Sequence, residues 1–426
     1  MLLKITPVPS LLFMCIFLIS INSYSQTGKW TELHPLRSHN EDFFFPRYRS
    51  GAGMAKLTDG KILLFGGNGG GKRNNDTWIF DLELNTWTKI ETEHTPPPRA
   101  EHGLAQLFDG KVLLFGGQNG QDIIYDDTWI FDISKMDWQN MNPEKHPSSR
   151  YAFGMSDLSE GKVIIFGGDL LKDSNGYHYG HETWIYYYSD NLWREYEYIT
   201  AHTPISRAGP GMAQLSEGKV LMFGGYIYKR LNDTWIFDEE QRRWIQIFPS
   251  NSPEGLDGMA FCKLTNNFIL LNGGSDGNEV GNDSSWIFSN KDTNWYNIGN
   301  SEGIGFRGFH NLSQIENGIA ILTGFQAYND TWIFELDSSL INVIDTKIKE
   351  HDIRISYLGD KKYTIKFEEV FNYKYSVEIF NIYGCKLLSL EGNNKEFDIN
   401  LSCFPNGICF IKVNYSDKYK IFKIYN

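Results

Sequence analysis

Five arginines recur at one position of this 426-residue chain. Arg49, Arg99, Arg150, Arg207 and Arg307 each stand seventeen residues before a glycine, and Leu256 holds the sixth such place. A guanidinium offers five donors in a planar fork, which suits carboxylates and hydroxyl-rich ligands. Two roles fit the repetition. The arginines form a basic ring that focuses positive potential on a ligand, or they donate to backbone carbonyls wherever the fold repeats. His178, Tyr179, Tyr228 and Tyr328 fall in connections near these positions, and tyrosine adds stacking and a hydroxyl to the same chemistry. His178 and His181 make a His-x-x-His pair in the segment 169–182, which also carries Asp173. No helix face aligns those rings and no third ligand is specified, so a solvated loop is expected and no metal. The sequence contains no HExxH, G-x-S-x-G, P-loop or dinucleotide fingerprint in context, so no catalytic residue and no cofactor is expected.

The elements that must position these residues are internal repeats. Lys-Ile-Leu-Leu-Phe-Gly-Gly at 61–67 returns with small changes at 111–117, 162–168 and 219–225, and more loosely at 268–274 and 319–325. The first glycines, 66, 116, 167, 224, 273 and 324, are 50, 51, 57, 49 and 51 residues apart. Behind each comes Asp-Thr-Trp-Ile-Phe (76–80, 127–131, 233–237, 330–334) or a variant: Glu-Thr-Trp-Ile-Tyr at 182–186, Ser-Ser-Trp-Ile-Phe at 284–288. A period near 50 with a glycine doublet and a downstream tryptophan resembles the Kelch repeat over about three quarters of the chain.

The resemblance implies an all-β fold, a six-bladed Kelch-type β-propeller spanning 26–340. Each blade is expected to be a four-stranded antiparallel meander, a to d. The turns Asp59-Gly60, Asp109-Gly110, Glu160-Gly161, Glu217-Gly218 and Asn317-Gly318 join strands a and b. Nine residues after each of the first five c-strand tryptophans stands a second one: Trp87, Trp138, Trp193, Trp244 and Trp295. Nine after Trp332 is Ile341, so the sixth blade lacks its outer strand. Trp30, the one tryptophan left, is expected to supply it, closing the ring with the N-terminal strand and hiding an open edge.

Both ends carry addresses. Lys4 precedes the apolar run 11–21, which is too short to span a bilayer and suits a secretory leader over 1–25, cleaved after Ser25. No other run is long and apolar enough for a transmembrane helix. Residues 345–426 have no glycine doublet and no tryptophan, and show alternating strands such as 375–384 and 407–413. With 397–402, Pro405-Asn-Gly407 and a lysine-bearing last strand, they resemble the type A sorting domain of the type IX secretion system. That likeness implies a small C-terminal β-sandwich, and the type IX machinery as a partner. A plain accessory or glycan-binding sandwich is the other reading. Of the four cysteines after the leader, Cys385, Cys403 and Cys409 lie in this segment and allow one disulfide, while Cys262 reads as a small core residue.

The function expected is therefore that of a secreted or cell-surface binding or scaffold module for a protein or glycan ligand. A carbohydrate-processing enzyme, oxidase- or epimerase-like, on the same scaffold is the alternative. The formal charge of −12 argues against nucleic acid. Within each blade the a–b and c–d turns are nearly constant, whereas the spacing from the first glycine to the c-strand tryptophan varies from 8 to 17. The ligand face is expected on the variable d–a and b–c connections. Phe43, Phe44 and Phe45, inserted before the first blade, are expected over the channel mouth or in an exposed patch.

Overall fold

The computed structural model describes residues 28–35, 45–120, 123–170, 178–196, 203–277, 282–300, 303–324 and 329–337, and most of the strands between 353 and 425. The leader, Tyr328, Phe43, Phe44, Asp173, Cys385 and Cys403 lie outside the described residues. The chain divides into two compact units, 1–341 and 342–426.

The first unit is six four-stranded antiparallel sheets, with two small two-stranded ribbons, Asn68–Gly69 with Lys72–Arg73 and Tyr226–Ile227 with Lys229–Arg230, in b–c connections. Five of the six sheets are simple meanders in sequence order. In the sixth, Gly28–Leu33 pairs with Thr331–Leu336, placing Trp30 opposite Phe334. The N-terminal strand therefore closes the propeller. The b strands, such as Lys111–Phe115, are buried on both faces because a neighbouring blade packs on each side. Five of the six a–b turns carry a glycine at positive φ, from 71° to 83°, blade five having Asn266-Asn267 instead, and the ladder shifts register beside all six.

A ring of hydrogen bonds joins the blades near their outer edge. Each d-strand tryptophan donates its indole N–H to the Thr or Ser hydroxyl of the preceding blade's c strand: Trp138 to Thr77 at 2.9 Å, Trp193 to Thr128 and Trp244 to Thr183 at 3.0 Å, and Trp295 to Thr234 at 3.1 Å. Trp30 to Ser285 and Trp87 to Thr331, both 3.1 Å, complete the circle across the chain's closure.

The second unit has two antiparallel sheets, one of three strands and one of four. Val377, Ile379 and Ile411 from the larger sheet and Ile399 from the smaller are buried, so both sheets of this β unit contribute buried apolar side chains.

Candidate functional site

The strand a of each blade lines the central channel, and its side chains make tiers. The middle tier is apolar: Met54, Leu104, Met155, Met212, Phe261 and Leu312. Room for these bulky groups comes from glycine on the adjoining blade. A Cβ at Gly103 would stand 2.2 Å from the Met155 sulfur, so no larger residue fits there. Above this tier is a cavity of about 180 Å³ lined by His102, Phe153, Pro210, Met259, His310 and Asn311, among others; below it is one of about 100 Å³.

The lower tier alternates. Gln106, Gln214 and Gln314 donate to the carbonyls of Leu57, Leu158 and Leu264 on the preceding blades. Lys56, Asp157 and Lys263 occupy the other three blades, and Lys263 Nζ donates to Gln214 Oε1 at 2.7 Å. Burial pushes Asp157 up and Lys263 down, with their mutual attraction opposing both.

A second ring of hydrogen bonds crowns the upper mouth. Two residues after each arginine position, backbone N–H groups donate around a circle: Gly51 to Phe309, Phe309 to Gly258, Gly258 to Gly209, Gly209 to Ala152, Ala152 to Glu101, and Glu101 to Gly51. All six have positive φ, from 50° to 62°, although Glu101, Ala152 and Phe309 are not glycine. Such a conformation costs of order 1–3 kcal/mol at a residue with a side chain and persists where the surroundings over-determine it. Three side chains are thereby held at the mouth. Burial raises the Glu101 carboxyl, against a Gln118 hydrogen bond and the Arg73 charge. The Phe309 ring lies over Gly258, where a Cβ would come within 2.9 Å of it.

The five arginines sit beside this crown, but they are turned inward. Arg49, Arg99, Arg150, Arg207 and Arg307 are 0–3% exposed. Each donates Nη1 to the carbonyl of the glycine seventeen residues on, at 2.7–2.9 Å. Each also meets the acid of its own blade's Asp/Glu-Thr-Trp phrase: Asp76, Asp127, Asp233 and Asp330 through both oxygens, Glu182 at 3.4 Å. Burial works to raise Asp76, yet the hydrogen bonds and charge of Arg49 outweigh it and hold the carboxyl below its ordinary value. Burial pulls Arg150 down, opposed by Glu182. Of the two roles the repetition left open, these contacts match the structural one: the guanidiniums are neutralised latches between the top ends of strands a, b and c, with their donors spent on the blade itself, and the candidate basic ring is not presented to solvent. In the fifth blade both partners change together, to Leu256 and Ser284.

Of the remaining expected residues, the structure brings two together. Tyr179 meets Tyr226 and Tyr228 edge-on, at 6.2 and 6.4 Å between ring centroids. Tyr228 is 83% exposed. His178 is exposed, and its carbonyl accepts the Leu170 N–H at 2.9 Å. Phe45 is partly buried against the first-blade core rather than on the surface. Cys262 is buried in the channel wall, and burial pushes its thiol up, away from reactivity.

Sequence reasoning missed the other exposed apolar groups. Among the described residues nine large apolar side chains are exposed, and seven belong to d–a or b–c connections or the crown: Tyr48, Ile123, Ile205, Tyr228, Phe248, Phe306 and Phe309. Only Leu84 and Met136 lie in c–d turns. Phe309 holds a crown position, and Tyr48 and Phe306 each precede a latch arginine, but the other blades carry different residues there, so no repeated phrase marks the aromatic groups.

The comparisons with known proteins agree with this architecture. The family model described as the KLHDC2/KLHL20/DRC7 Kelch-repeats domain matches residues 18–168 and 156–354. The chain belongs to the Kelch-repeat family. Residues 360–425 match the secretion system C-terminal sorting domain. With that tail, the protein is addressed through the type IX secretion machinery to the cell surface or the extracellular space. Curated relatives are distant. An F-box/kelch-repeat protein of Arabidopsis thaliana is 28% identical over 59% of this chain and 56% of its own length. Adagio protein 3 of the same plant is 26% identical over 55% and 40%, and its acyl-CoA-binding domain-containing protein 4 is 26% identical over 74% and 48%. The chain thus spans about half the length of the relatives it matches.

Proposed function

We propose that this secreted Kelch protein is a non-catalytic binding module that holds a protein or glycan ligand on the face of the d–a and b–c connections. The observation that carries the reading is the distribution of exposed apolar groups, seven of nine on that face. Aromatic side chains fixed on a rigid scaffold supply contact area at low entropic cost. Because the arginines are consumed by their latches, recognition rests on the Tyr179–Tyr226–Tyr228 group and on Phe306 and Phe309, not on guanidinium forks. The sugar-enzyme alternative asks for titratable groups converging in a deep pocket. At the channel mouth, where such a site is expected, the cavity above the apolar tier is about 180 Å³, below the roughly 300–1,000 Å³ of ordinary small-molecule sites.

The test is a glycan and peptide array screen of the full chain, followed by affinities of variants for the ligand found. Tyr228→Ala and Phe306→Ala are expected to weaken binding about tenfold or more, as interface anchors do. Leu84→Ala, on the turn face, is expected to leave it unchanged. Loss confined to the Leu84 variant would move the site to the other face.

A further inference from the structure

The rim of the propeller carries a second constellation, away from the mouth. Glu93 and His94 lie in the connection from blade one to blade two, and Asp137 opens the outer strand Asp137–Asn140. One ligand atom from each of the three lies within 4.8 Å of the others. Asp137 Oδ1 accepts the His94 backbone N–H at 2.9 Å, and Oδ2 meets His94 Nδ1 at 2.8 Å. These contacts clasp the connection to the neighbouring blade.

Between blades four and five the same clasp is made by a neutral amide. Asn294, which like Asp137 directly precedes a d-strand tryptophan, accepts the Asn251 N–H on Oδ1 at 3.0 Å, with Ser250 Oγ at 3.3 Å. One amide is therefore enough for the fold. Blade two uses an imidazole and two carboxylates instead, and the clasp does not account for that choice.

The surroundings differ as well. A cavity of about 530 Å³ opens beside the clasp, lined by His94 and Asp137 together with Lys111, Lys135, Gln139 and Tyr188. One side chain distinguishes it from the next groove. Met141 and Tyr196 hold equivalent places, each donating its N–H to the c-strand threonine of its own blade. The Tyr196 ring packs on Phe237 at 5.0 Å and its hydroxyl donates to the Glu239 carbonyl, filling the next groove, whereas Met141 leaves this one free.

We propose that Glu93, His94 and Asp137 form a site for a divalent transition metal of the Zn²⁺ type, with its fourth position open to the groove. Imidazole nitrogen and carboxylate oxygen are both donors that Zn²⁺ takes, and three protein ligands with one position left over match the count of an open zinc site. Bond lengths of about 2.0–2.2 Å to each donor require only modest rotation of side chains that are exposed or half-buried. The proton shared between His94 Nδ1 and Asp137 Oδ2 leaves to solvent as the ion takes its place.

The native blade-five clasp supplies the control. Asp137→Asn keeps the acceptor that Asn294 shows to be sufficient, and Glu93→Gln touches no clasp hydrogen bond. The full chain, freed of metal with a chelator, is titrated with Zn²⁺ calorimetrically and with Co²⁺ by visible absorption. One ion per chain with a tetrahedral Co²⁺ band is expected. Both variants should lose about tenfold or more in affinity with unchanged melting temperature, and His178→Gln should bind like the parent. Parental affinity in Glu93→Gln would mean adventitious binding at other surface histidines and would overturn the site. So would no binding by the parent chain. Should Asp137→Asn unfold, Glu93→Gln alone decides.

Discussion

Two circles of side-chain contacts run through this propeller, and they tolerate change differently. The outer one, tryptophan to Thr or Ser, is neutral and complete in all six blades, even where its last member comes from the other end of the propeller chain. The inner one, arginine to carboxylate, is charged and missing in blade five. The difference lies in what each contact joins. A tryptophan link ties one blade to the next, so omitting it opens the ring. An arginine latch closes the top of a single blade, so one blade can dispense with it provided both charges leave together. Removing only one would strand the other partly buried, which is why Leu256 and Ser284 occur as a pair.

The largest expected effect breaks the outer circle. Deleting residues 28–33 removes Trp30 and the last strand of blade six, exposing the edge Thr331–Leu336. Trp30 is half-buried, so its loss costs less than the roughly 3–5 kcal/mol of a fully buried tryptophan, and the lost ladder adds to it. Calorimetry should show a strongly lowered and broadened transition. An unchanged melting curve would mean that the strand is not what closes the ring.

The next effect concerns the inner circle. Arg99→Leu strips Asp127 of its partner and should cost about 3–5 kcal/mol in denaturant unfolding. The double variant Arg99→Leu with Asp127→Ser copies blade five and should recover most of that loss. If the double change is as harmful as the sum of the two single ones, the latch does not act as a charge pair.

The smallest effect separates acid lability from both circles. His102 and His310 are buried and neutral in the channel wall, each brought down to about 3, first by burial and then by the neighbouring Arg99 and Arg307 charges. In the unfolded chain both protonate near their ordinary value of 6.5. Above pH 6.5 neither state takes up a proton and they contribute no slope. Between 6.5 and about 3 the unfolded chain binds protons that the fold cannot, so stability falls with pH by about 1.4 kcal/mol per unit for each histidine. His102→Phe copies Phe153, which packs on Phe115 as His102 packs on Phe65. It should flatten the part of the pH–stability curve below pH 6.5 and above the carboxylate range by roughly half, and leave the neutral plateau nearly unchanged. An acid limb of unaltered slope would assign the lability to the carboxylates of the latches.

Much of the architecture was legible because it repeats. The glycine doublets, the Asp-Thr-Trp phrases and the count of twelve tryptophans determined the blade number and the closing role of Trp30 from spacing alone, since every blade solves the same packing problem with the same residues. The alternating strands, Pro405-Asn-Gly407 and lysine-bearing last strand of residues 345–426 carried only a resemblance to the sorting domain, beside a plain accessory sandwich, and the family match over 360–425 decides for the former. What the repetition could not decide was direction. A residue recurring in every blade is equally compatible with a shared structural task and a shared binding surface. Only the folded positions of Arg99 and Asp127, 28 residues apart and 2.5 Å in contact, assign the arginines to the first. The candidate binding groups have the opposite problem. Phe306, Tyr226 and the Glu93–His94–Asp137 constellation each occur once and draw on neighbouring blades, so no periodicity announces them. Their proximity is set by the ring closing in space, a long-range geometry that local spacing along the chain does not encode.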